Sequence, residues 1–153
     1  MCDSVPHARL STIVLAGLLL GGCGPSPAKG IASALIDEGV NPFTPAAGYV
    51  LDGESAGHLD EKTRLFTREA HQKIRRVDDS DPDPAQAVQA IDGWIVARVT
   101  VRSQATEPSV LPEIRKTFRY EAAKTVGTLK YSLIPSKTGR TLFLDLEIEE
   151  RLR

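Results

Sequence analysis

Apolar and polar positions fall into three patterns along this chain: an unbroken apolar run near the start, a helical stripe in the middle and two-residue alternation toward the end. The stripe runs through residues 59–77, where Leu59, Phe66, Ala70, Ile74 and Val77 recur near the 3.6-residue period of an amphipathic helix. Asp60 with Arg64 and Glu69 with Lys73 add acid-first pairs four apart, which support a solvated helix face. The segment DDSDPDP at residues 78–84 stops any regular element. A shorter helix is expected next, with Asp83 as N-cap, Pro84 at its first position and Gly93 just past its end.

Beyond residue 93 the period changes to two. In WIVARVTVRS, residues 94–103, Ile95, Ala97, Val99 and Val101 share one face, with Trp94, Val96, Arg98, Thr100 and Arg102 on the other, as in a half-buried strand. Leu129, Tyr131 and Leu133 alternate as well, and PSKTG supplies a turn through Pro135 and Gly139. The final run, TLFLDLEIEERL, sends Leu142, Leu144, Leu146 and Ile148 inward and Phe143, Asp145, Glu147 and Glu149 outward, so these two strands predict an antiparallel hairpin. Residues 112–126 are ambiguous. Ile114, Phe118, Ala122 and Val126 make an uncharged helical stripe between Pro112 and Gly127, which favours a helix; read as a strand, Phe118, Tyr120 and Ala122 share a face with Lys116 and Lys124. Shorter signals precede these: a helical turn or two at Ile31, Leu35 and Ile36, and a short strand at Tyr49, Val50 and Leu51. The fold class expected is α+β, an antiparallel sheet of three or four strands with the 59–77 helix packed on one face.

The apolar run, LSTIVLAGLLL at residues 10–20, is too short to span a bilayer, which takes about 20 residues. It matches the apolar centre of an export signal, with Arg9 before it and small residues after. Those residues, Leu20, Gly21, Gly22 and Cys23, resemble the bacterial lipoprotein lipobox, Leu-(small)-Gly-Cys. The resemblance covers about residues 1–24. It implies a diacylglycerol thioether on Cys23, cleavage after Gly22 and a further acyl chain on the new amino terminus. Two or more acyl chains give lasting membrane attachment where one does not. Within that family an aspartate directly after the cysteine commonly retains the protein in the inner membrane. Here Gly24 stands there, which implies the outer membrane, facing the periplasm, if the host has two membranes. The organisation expected is a signal peptide at 1–22, a lipidated cysteine and tether at 23–53, and an α+β domain at 54–153.

The chain has 153 residues and a formal net charge of −1, so it lacks the basic excess that nucleic-acid binding exploits. Its cysteines are Cys2 and Cys23 alone. With the first discarded and the second lipidated, no thiol nucleophile, thiolate zinc site or disulfide is left to the domain.

The remaining chemical candidates are weak. Asp79, Asp81 and Asp83 have the spacing that opens a calcium loop, but Pro84 stands where the sharp turn needs glycine and Ala90 where the bidentate glutamate belongs. His58 and His71 lie thirteen apart, about 20 Å along a helix, too far to share one metal. GESAG at 53–57 matches the Gly-x-Ser-x-Gly elbow in letters, yet Ser55 lacks the large parallel sheet that presents such a nucleophile, and Ser55 or Asp60 is expected to cap the helix instead. Arg98 and Arg102 are expected to pair across strands with Asp145, Glu147 or Glu149. Trp94 and Phe143, if exposed on adjacent strands, would form a partner surface.

The reading as a whole is of a membrane-anchored lipoprotein without enzymatic activity or cofactor. It would bind an envelope protein or component through a surface including Trp94, Arg98, Arg102, Phe143, Asp145 and Glu147. The alternatives are a small envelope hydrolase using carboxylates such as Asp145 or Glu147, and a structural subunit of an envelope complex.

Overall fold

The computed structural model describes residues 29–37 and 48–153; Cys23 and the lipobox lie outside the described residues. Its centre is one antiparallel sheet of six strands, β1 (Tyr49–Asp60), β2 (Leu65–Arg76), β3 (Thr100–Glu107), β4 (Ile114–Glu121), β5 (Thr125–Pro135) and β6 (Thr141–Leu152). They lie in the order β1-β2-β6-β5-β4-β3. Two helices, α1 (Ile31–Asp37) and α2 (Pro84–Val96), accompany it.

The β5–β6 hairpin forms as its alternation predicts, with Leu133 opposite Leu144 and Leu129 opposite Ile148. Its turn closes through Gly139, whose φ of 75° suits glycine. Leu129, Leu133, Leu142, Leu144 and Ile148 are all at most 1% exposed. Phe118 and Tyr120 of β4, Ala70 and Ile74 of β2, and Ile31, Leu35, Ile91, Trp94 and Ile95 of the helices complete the same core. Tyr120 lies over Gly127, where an added Cβ would stand 2.5 Å from its ring, so only glycine fits there.

The sheet therefore has six strands rather than three or four, and the helix expected at 59–77 does not exist. That segment closes β1, makes a turn and runs on as β2. Phe66, Ala70 and Ile74 are spaced by four, an interval that satisfies both a helix and a strand. The residues that would have separated the two readings, Arg68 and Gln72, are polar although they share the covered face: Gln72 is buried and Arg68 half-buried. Asp60 caps this turn by accepting from the Lys62 and Thr63 N–H groups, and Ser55 accepts from Arg68 Nη2 at 2.7 Å; neither caps a helix.

Residues 112–126 contain β4 and the start of β5, not a helix, again because steps of four fit both periods. Residues 94–96 end α2 instead of opening a strand. Asp83 and Pro84 cap and begin α2 as expected, but Gly93 sits inside it, and Ala87, Ile91, Trp94 and Ile95 form its buried stripe.

Each helix is fastened to the sheet by a carboxylate. Glu150 of β6, only 3% exposed, accepts from the Ala32 N–H of α1 at 3.0 Å and from Tyr120 Oη at 2.7 Å. Gly30 leaves room for it, since a Cβ there would come within 2.7 Å of the carboxylate. Asp92 of α2 accepts from Tyr131 Oη at 2.7 Å and pairs with Lys116, which explains an inward-facing lysine on β4. Burial and these acidic neighbours raise both phenols well above their usual range, burial being the larger cause. α1 and the first residues of β1 belong to this folded body, in the stretch read as tether. Among the described residues no helix is long and apolar enough to cross a membrane.

Candidate functional site

Both helices pack on one face of the sheet, and no described segment covers the other. On that open face the strand registers line up side chains in rows that cross all six strands. One row reads Glu54, His71, Asp145, Ser132, Arg115, Glu107; the next reads Ala56, Glu69, Glu147, Lys130, Thr117, Ala105. The two rows line a trough of about 620 Å³ bounded by both edge strands. A single hollow reaching from β1 to β3 means that the sheet curls around this face. Small side chains at Ala56 and Thr117 leave its floor open.

Charge is distributed unevenly across the trough. Glu54, Glu69, Asp145 and Glu147 lie on β1, β2 and β6, whereas Lys130 and Arg115 lie on β5 and β4, with Glu107 beyond them on β3. Lys130 Nζ is 3.2 Å from Glu147, and Arg115 grips Glu113 through Nε at 2.7 Å and Nη2 at 3.2 Å. The arginine holds the Glu113 carboxyl below its usual range. Glu69 stands directly opposite Glu147, a like-charge pairing that costs stability. Among the described residues neither Glu69 nor Glu54 has an ion-pair partner. The acidic wall thus keeps two carboxylates available to a ligand.

His71 is held in place from two sides. Its Nδ1 bonds Asp145, and its ring stacks on Phe143 with centroids 6.1 Å apart. Such a pair can orient a general base, but the row order argues against serine catalysis. Asp145 lies between His71 and Ser132, whereas that chemistry needs the imidazole between carboxylate and hydroxyl. Ser55, the elbow serine by letters, sits mid-strand in β1, bonded to Arg68.

The six residues singled out from sequence do not form one surface. Phe143, Asp145 and Glu147 lie together on the open face of β6. Trp94 is 5% exposed within α2, with the Arg98 guanidinium 4.3 Å over its ring, so it shares no surface with Phe143. Arg102 pairs with Glu121, and β3, which carries it, is separated from β6 by two strands, so it does not meet the β6 carboxylates; Arg98 lies between α2 and β3, not on the strand with Arg102. Glu54, Glu69, His71, Lys130 and Arg115 were not singled out as members of such a face. The alternation of Glu69, His71 and Lys73 was the available signal, and the helical reading of the segment hid it.

His58 and His71 lie on neighbouring strands of the open face, and among the described residues no group of three or more metal-ligating side chains stands together. The aspartate stretch serves its own turn. Asp78 accepts from Ser80 and Arg76, which lowers it to about 2, and Asp83 caps α2. No protein-family model, curated protein or solved structure matches the chain.

Proposed function

We propose that this protein is a lipoprotein of the cell envelope, anchored through Cys23, that binds an envelope protein or component in the open trough of its sheet. The observation that carries the reading is the trough itself: six strands contribute to one hollow that no described segment covers, and among the described residues Glu54 and Glu69 on its acidic wall have no ion-pair partner. Such a wall suits a basic segment of the partner, and Lys130 and Arg115 opposite suit an acidic or carbonyl group beside it. The like-charge pair Glu69 and Glu147 has no use in stability, which favours a use in recognition.

The anchor is proposed on the Leu20-Gly21-Gly22-Cys23 motif, with the outer membrane as its place in a two-membrane host. Replacing Cys23→Ser should abolish lipid labelling and signal removal together; normal processing of that variant refutes the anchor. The binding surface is tested in intact cells with a photo-crosslinking residue at Ala56, in the trough, or at Val96, 63% exposed on α2. A product dependent on the Ala56 position and joining a molecule other than a second copy of this chain supports the reading. Equal products at both positions, or none at Ala56, overturn it.

A further inference from the structure

The two edges of the sheet are unlike. β3 has eight residues, is interrupted by a bulge between Val101 and Ser103, carries Arg102 and is followed by Pro108. Those features keep an edge from pairing with another chain. β1 has twelve residues in unbroken register with β2 and contains no proline, lysine or arginine. Gly48 O accepts from Val77 N at 2.7 Å, so even-numbered residues of β1 turn their backbone groups toward β2. Strand alternation then turns the N–H and C=O groups of Leu51, Gly53, Ser55, Gly57 and Leu59 to the free edge. No described strand pairs with that edge.

Read outward from Ser55, the strand repeats at alternate positions, Gly53 with Gly57 and Leu51 with Leu59, while Glu54 answers to Ala56 and Asp52 to His58. We propose that β1 pairs antiparallel with β1 of a second copy of this chain, about a twofold axis at Ser55.

In that register Leu51 covers Leu59 of the second copy, a side chain 48% exposed in the single chain. Asp52 meets His58 of the second copy, an acid opposite a base. Gly53 meets Gly57, and Glu54 meets Ala56, so no two like charges stand directly opposite. Each odd-numbered pair exchanges two backbone hydrogen bonds. Neighbouring registers are worse: an axis at Glu54 sets that glutamate against itself, and an axis at Ala56 sets Asp52 against Asp60. The interface is self-complementary, as a twofold contact requires. Because the axis stands perpendicular to the sheet, both troughs open on the same side and both helix layers lie on the other.

The test uses the full-length chain in its native membranes. A hydrogen-bonded antiparallel pair holds its Cα atoms about 5.5 Å apart, within disulfide reach. Ser55→Cys should therefore double in mass on a non-reducing gel after oxidation, while the unaltered chain, treated alike, should stay single. Asp52→Cys and His58→Cys should each stay single when expressed alone and join when expressed together. Ser55→Pro removes an N–H that faces the free edge together with the hydroxyl that Arg68 bonds, and Ser55→Ala, which removes the hydroxyl alone, is its control; both detergent-extracted chains should fold, and only the proline chain should halve in mass by light scattering. A Ser55→Cys chain that stays single or links to another protein overturns the proposal. So do an Asp52→Cys chain that links to itself and a Ser55→Pro chain that keeps the mass of the unaltered one.

Discussion

Along β6 the two faces of one strand answer to different demands. Leu142, Leu144, Leu146 and Ile148 are buried under α1 and α2, together with Glu150, whose carboxylate is satisfied by a phenol and a helix N–H. Phe143, Asp145, Glu147 and Glu149, on alternate positions, lie on the open face, where Asp145 and Glu147 line the trough and Glu147 faces another carboxylate at Glu69. On the covered face the carboxylates of Glu150 and Asp92 each fasten a helix to the sheet. On the open face the charges include a pairing that works against stability. The difference teaches that polarity alone does not mark a site: the buried Glu150 and the half-buried Asp92 are structural, while the exposed Glu69, with no ion-pair partner among the described residues, is the candidate for recognition.

The comparison is broken most severely by cavities on the covered side. Leu144→Ala should cost about 2 to 5 kcal/mol, whereas Glu147→Ala, on the same strand, should stay within about 0.5 kcal/mol; urea unfolding of the two variants measures the contrast. Next in size is the carboxylate that fastens α1. Glu150→Ala leaves the Tyr120 hydroxyl and the Ala32 N–H unsatisfied and should cost about 2 to 4 kcal/mol. Adding Tyr120→Phe to that variant should recover part of the loss, because one orphaned donor disappears; no recovery would mean that Glu150 acts through packing alone.

Alkali sharpens the contrast at a smaller scale. Both Tyr120 and Tyr131 are raised by burial first and by their carboxylate partners after that. A raised phenol contributes its full stability below its unfolded value near 10 and loses it as pH climbs from there toward the folded value. Stability should therefore fall above about pH 10, by about 1 kcal/mol per tyrosine at pH 11. Thermal melts from pH 8 to 11 would show it, and the slope should lessen in the Tyr131→Phe variant. The smallest effect belongs to the open face. Glu69→Ala relieves the repulsion with Glu147 and should be neutral or stabilising by a few tenths of a kcal/mol; a loss above about 1 kcal/mol would show that Glu69 has a structural task.

The β5–β6 hairpin was legible in the sequence because its alternation is nearly free of exceptions and its turn carries Pro135 and Gly139. The start of α2 was legible too, since Asp83 and Pro84 act locally. What misled was the interval of four. Phe66, Ala70 and Ile74, and likewise Ile114, Phe118 and Ala122, repeat at a spacing common to helix and strand. The positions between them that should have decided, Arg68, Gln72 and Lys116, are polar on the covered face. Lys116 is there because Asp92 on α2 meets it, a tertiary contact that no local pattern reveals. The site followed the fold: Asp145, Glu147 and Phe143 were recognised as one outward face of β6, but their neighbours on β2 were hidden inside an expected helix.

The claim that the open face is the binding surface meets its most direct test in a chain carrying Glu69→Lys and Glu147→Lys, with the photo-crosslinking residue at Ala56. Expressed in intact cells beside the same chain without the charge changes, it should melt within a few degrees of that chain and lose its trough-dependent crosslink. An undiminished crosslink from a folded, charge-reversed trough would contradict the account.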